Sequence, residues 1–98
     1  MVWIRHGNVI LRKLNKTKIK GCVKHDLVLA EGEVTGHSHR LTRSVIECVD
    51  GGQRLVQVLE PTELVHEEHD SLVILEGVYE VLVQREVDLL GEVRQVMD

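Results

Sequence analysis

The 98-residue chain is 43% apolar and 29% charged, with a formal net charge of −4. That is long enough for one hydrophobic core and too apolar for a disordered chain. No apolar run reaches the length of a membrane-spanning helix, and no apolar segment at the N-terminus leads into a small-residue cleavage site, so no membrane partner and a cytoplasmic location are expected.

Val, Leu and Ile dominate the apolar set, Phe is absent, and Trp3 and Tyr79 are the only aromatic residues. Such a composition favours pleated, half-buried surfaces. The net charge hides a polarity. Arg5, Arg12, Lys13, Lys16, Lys18, Lys20 and Lys24 precede the first acidic residue, Asp26, and every Asp and Glu follows it. One domain over residues 1–98 is expected, with a basic N-terminal segment (1–26) and an acidic remainder (27–98). The basic segment can pair with acidic strands of its own chain or of a second copy, giving a homo-oligomer. Nucleic-acid contact through the same lysines is the less favoured alternative, since only Trp3 is nearby to stack a base.

Val2-Trp3-Ile4 and Val9-Ile10-Leu11 read as strands around a turn at Gly7-Asn8. Lys16 to Lys20 reads as an exposed basic loop closed by the breaker Gly21. Leu27 to Val34 is a largely apolar run in which Gly32 suggests a bulge. Val45 to Val49 and Arg54 to Leu59 flank Asp50-Gly51-Gly52, the strongest hairpin signal in the chain. Leu64-Val65-His66 runs into the acidic turn Glu67-Glu68, and Leu72 to Leu75 follows. Val78 to Val87 is the longest regular run, with Tyr79, Val81, Val83 and Val87 on one face, interrupted by Arg85, and Glu80, Gln84 and Glu86 on the other, with Leu82 among them. In the tail, Leu90, Val93 and Met97 fit helical spacing, while Val93 to Val96 fits a last strand. The expected fold is all-β: a small single-domain barrel or sandwich of six to eight short strands.

Cys22 and Cys48 are too few for a disulfide framework. Apolar or free thiols, a single disulfide and a metal-ligand role all remain open for them.

The chemistry-bearing signal is histidine. His37-x-His39, if extended, places both rings on one face about 7 Å apart at Cα. His66-x-x-His69 has the spacing of a helical turn or a tight corner, where two rings converge. Neutral imidazole is the commonest protein metal ligand. The two clusters together therefore predict a metal site from His37, His39, His66 and His69. Ligand softness suits Zn, Ni, Fe, Co or Mn. Glu67 and Glu68 are the candidate catalytic carboxylates, as a general base on a bound water or as partners that orient an imidazole. His6 and His25 stand alone and read as surface or internally satisfied histidines. There is no Gly-rich phosphate loop, nucleophile elbow or EF-hand loop.

Three stretches, LVLAEGEVTGHSHR (Leu27 to Arg40), ELVHEEH (Glu63 to His69) and EGVYEVLVQREVD (Glu76 to Asp88), resemble together a family of small bacterial and phage-associated proteins. That family carries a GEVTGHxH stretch, a HEEH stretch and a GxYxV…QRE-aromatic-Asp stretch. The matching positions here are Gly36, His37, His39, His66, Glu67, Glu68, His69, Gly77, Tyr79, Gln84, Arg85, Glu86 and Asp88, with Val87 in place of the aromatic residue. The resemblance covers the last two thirds of the chain and implies no particular activity. The histidine pattern is also similar in architecture to a cupin, but Arg43 and Ser44 stand where a cupin has its glutamate. The functional expectation is a small metal-binding β protein, a metalloenzyme of unassigned reaction being one form of it. The alternative is a non-enzymatic, self-associating module.

Overall fold

Short two-residue turns set the register of this all-β protein. The computed structural model describes residues 2–31, 37–87 and 93–95. β1 (Trp3–His6) and β2 (Val9–Lys13) pair with His6 opposite Val9, and Gly7 closes the turn at φ 59°. β6 (Val45–Asp50) and β7 (Gln53–Val58) pair with Asp50 opposite Gln53. Both residues of that turn, Gly51 and Gly52, have positive φ, the conformation that matches the right-handed twist of the flanking strands.

β3 (Cys22–Lys24) joins the edge of β6, and β10 (Gly77–Val83) inserts between β2 and β7. The result is a six-stranded antiparallel sheet in the order β1-β2-β10-β7-β6-β3. β4 (Val28–Glu31), β5 (Ser38–Leu41), β8 (Thr62–His66) and β9 (His69–Ile74) form a second antiparallel sheet in that order. β11 (Arg85–Val87) and β12 (Val93–Gln95) make a separate two-stranded ribbon.

The all-β expectation holds, and among the described residues there is no helix. Ten strands in the two main sheets exceed the six to eight expected, because the chain uses three- and four-residue strands that carry little periodicity. The described strands do not close into a barrel: β1 and β3 are the edges of one sheet, β4 and β9 of the other. The long run from Val78 is not one strand. It breaks at Gln84, whose amide bonds the Asn8 carbonyl, and pairing then passes to the ribbon. Val93–Gln95 is a strand, as one of the two tail readings had it. The bulge in β4 falls between Val28 and Ala30, and Gly32, where it was expected, lies outside the described residues, as does Gly36. Cys22 is exposed, Cys48 half-buried, and both are free thiols.

One apolar cluster draws on both sheets. Val9, Leu11, Val45, Val56, Tyr79 and Val81 come from the larger, and Leu29, Leu41, Leu64 and Ile74 from the smaller. Each fully buried aliphatic side chain contributes about 1.5–3 kcal/mol. Tyr79 anchors its hydroxyl on the Leu75 carbonyl at 2.8 Å, and burial pushes the phenol's pKa up.

Of the basic segment, Arg12 pairs with Glu80 across β2 and β10 and lies over the Trp3 ring at 5.9 Å. None of the lysines from Lys13 to Lys24 makes an ion pair with a described residue. Among the described residues, the intramolecular pairing expected for this segment is therefore confined to Arg12.

Gly21 is needed where β3 approaches β6. A Cβ there would lie 2.1 Å from the Glu47 carbonyl oxygen and 2.7 Å from its carbon. Both are backbone atoms that cannot swing away. Gly21→Ala is expected to lower the unfolding free energy by about 1–3 kcal/mol, the usual cost of overpacking. Urea denaturation checks this, and an unchanged midpoint would mean that β3 detaches at no cost.

Candidate metal centre

Five of the six histidines meet where the ends of the two sheets come together. His66 and His69 are the closing pair of the β8–β9 hairpin, directly opposite each other across the Glu67-Glu68 turn. The HxxH spacing is thus a β-hairpin corner, not a helical turn. A register shift between Leu64 and His66 re-aims the end of β8, as bulges do beside functional sites. The rings of this pair lie 4.7 Å apart.

β5 lies beside β8 and brings the other pair. His39 is fully buried in β5, its ring 4.4 Å from that of His66 and 5.8 Å from that of His69. His37, just ahead of β5, is half-buried with its ring 5.6 Å from that of His66. The four histidines singled out by spacing therefore converge.

His6 joins them, contrary to its reading as a solitary histidine. It ends β1 in the larger sheet and is 4% exposed. Its Nδ1 lies 2.9 Å from His39 Nδ1, and its Nε2 donates to the Asp70 carbonyl at 2.7 Å. Nothing in Trp3-Ile4-Arg5-His6-Gly7 signals this, because the partners lie 33 and 64 positions away. His25 stays outside, exposed and bonded to the Ser44 hydroxyl.

Two ligand sets emerge. One nitrogen from each of His39, His66 and His69 lies within 4.8 Å of the others, and His37, His66 and Glu67 satisfy the same limit. His66 belongs to both. A tetrahedral zinc with bonds of about 2.0–2.1 Å needs its ligands about 3.3 Å apart. Ring rotations of the order of 1 Å therefore suffice to close either set. The first set is the more enclosed, with His39 and His66 buried. It also holds a buried nitrogen, His69 Nε2, that has no hydrogen-bond partner among the described residues. Buried polar atoms are ordinarily satisfied, and a metal ligand bond would satisfy this one.

Glu67 and Glu68 line the exposed rim. Glu67 Oε1 accepts the Ser38 amide at 2.8 Å, tying the β8–β9 turn to the start of β5. That amide first, and Glu67's own amide next, hold its carboxyl below the ordinary value of 4.5; nearby His37 and His66 add to this and slight desolvation opposes it. Glu68 places Oε1 3.7 Å from His37 Nδ1. Its backbone N–H donates to His66 Nδ1 at 3.0 Å. A backbone amide only donates, so that nitrogen carries no proton, and in the neutral ring the proton sits on Nε2.

A domain of unknown function, DUF8820, matches residues 5–84. The chain belongs to this family. No curated protein and no solved structure matches it. The DUF8820 match takes in all five clustered histidines and both rim glutamates. It also takes in the basic segment from Arg5 onward, which the motif resemblance left out, and it ends at Gln84, before the Arg85, Glu86 and Asp88 positions of that resemblance.

Proposed function

We propose that this DUF8820 protein binds a divalent transition metal through His39, His66 and His69. The observation that carries the reading is the three-imidazole set of buried His39 and His66 with half-buried His69, whose Nε2 is otherwise unsatisfied. Three neutral imidazoles suit zinc, nickel, cobalt, iron or manganese and leave one or more coordination positions for water or a substrate oxygen. His37 and Glu67 form a shallower flank that shares His66. If a bound water reacts, Glu68 is the candidate base, its carboxylate 3.7 Å from His37 Nδ1 on the rim. Glu67 already holds the Ser38 amide, which lowers its basicity.

Metal binding has a local consequence at His66. Coordination through Nδ1 displaces the Glu68 amide directly. Coordination through Nε2 moves the proton to Nδ1, which can then no longer accept that amide. Either way, loading releases the Glu68 N–H from His66.

Elemental analysis of untagged protein, before and after equilibration with zinc, tests the reading. About one equivalent of zinc is expected, with a displaced Glu68 amide resonance in the loaded form. Removal of the zinc with a chelator should restore that resonance. Uptake well below one equivalent, or uptake that leaves the Glu68 amide in place, would count against this centre.

A further inference from the structure

We infer that His6 is a positioning residue that fixes the ring orientation and tautomer of His39 so that Nε2 is its coordinating atom. This role rests on the metal reading above, but the hydrogen-bond chain behind it is a property of the metal-free protein.

The argument starts at Asp70. Its backbone carbonyl only accepts, so His6 Nε2, 2.7 Å away, carries a proton. In a neutral ring the other nitrogen, His6 Nδ1, is then an acceptor. The atom 2.9 Å from it is His39 Nδ1, which must donate. His39 therefore holds its proton on Nδ1, and its lone pair is on Nε2. A metal-bound histidine needs the same arrangement, with one nitrogen on the metal and the other donating to a fixed acceptor.

The placement reinforces this. His6 and His39 are almost wholly buried, and their rings meet edge to face at 82°. The far end of the chain of bonds is Asp70, the neighbour of the ligand His69 on β9. One side chain from the larger sheet thus ties a ligand on β5 to the strand that carries another. His6 itself belongs to neither ligand set.

The test pairs His6→Leu with His6→Gln. Leucine removes both bonds, whereas a glutamine amide can accept from His39 with its oxygen and donate to Asp70 with its NH2. Zinc affinity, measured by competition with a chromophoric chelator, should fall about 10–100-fold in His6→Leu, the usual effect of losing such an outer partner. It should stay within about threefold of the parent in His6→Gln. Nitrogen-15 spectra of the metal-free proteins, at mildly alkaline pH where imidazole is ordinarily neutral, should show His39 protonated at Nδ1 in the parent and in His6→Gln. In His6→Leu they should show the Nε2–H form.

His39 protonated at Nε2 in the metal-free parent would overturn the inference without any variant having to fold. So would parental zinc affinity and an unchanged His39 tautomer in His6→Leu. A parent that takes up no zinc would instead remove the centre itself, and the tautomer measurement would still report separately whether His6 orients His39.

Discussion

Arg54→Leu is expected to lower the unfolding free energy by about 2–4 kcal/mol. Arg54 lies on β7 of the larger sheet. Its Nε donates to Glu47 Oε2 at 2.6 Å, its diagonal neighbour on β6, and its two terminal nitrogens donate to the Leu29 and Val28 carbonyls at 2.7 Å each. Those carbonyls sit at the bulge of β4, on the smaller sheet, where ladder pairing with β5 shifts register. One guanidinium fork thus links the sheets and satisfies acceptors beside an irregular strand.

Each bond to a charged group contributes about 1.5–3 kcal/mol, but bonds of one side chain do not add. Part of the total is lost to solvent, because the Arg54 side chain is 26% exposed. Loss of the arginine also leaves the Glu47 carboxylate, 14% exposed, without its cation. Arg54→Lys keeps the charge but not the fork, and should recover less than half of the loss. Chemical denaturation of both variants measures this. A change below about 0.5 kcal/mol in Arg54→Leu, the level of an ordinary surface substitution, would show that the sheets are held together by the shared apolar core alone.

The second large effect separates the two ligand sets. His39→Ala should weaken zinc binding by about 1,000-fold, roughly a third of the ~10–16 kcal/mol typical of a structural zinc site. His37→Ala should weaken it by about tenfold or less, as for an outer partner. The asymmetry follows from burial. His39 is fully enclosed against His66 and His69, whereas His37 sits at the rim with a carboxylate partner. His66→Ala should match or exceed His39→Ala, since His66 belongs to both sets. Thermal melts without metal show whether each variant keeps its fold, and isothermal titration gives the affinities. A larger loss in His37→Ala than in His39→Ala would move the centre outward to His37, His66 and Glu67.

The sequence carried the histidine pairs because both obey local rules. His39 lies on β5 and His37 just ahead of it, two positions apart, and their rings come within 4.4 and 5.6 Å of that of His66. The Glu67-Glu68 turn brings His66 and His69 together whether it is helical or a hairpin. The Gly7-Asn8 and Asp50-Gly51-Gly52 turns were legible for the same reason, since the backbone they need favours those residues.

What stayed hidden depends on distant pairing. Insertion of β10 between β2 and β7 has no local signature, nor does the division of ten strands into two sheets. β3 is a three-residue strand exposed throughout, so its residues show no alternation to read. His6 reaches the cluster only because the β1–β2 turn lies against the β8–β9 hairpin, a contact made by tertiary packing. Glu67 was recognisable as acidic, but not as the acceptor of the Ser38 amide.

A zinc-loaded crystal, with diffraction recorded on either side of the zinc absorption edge, tests the existence of the centre most directly. One anomalous peak about 2.0–2.1 Å from nitrogens of His39, His66 and His69 is the predicted result. Zinc bound only at the protein surface, with those three rings unmoved and no density among them, would contradict it.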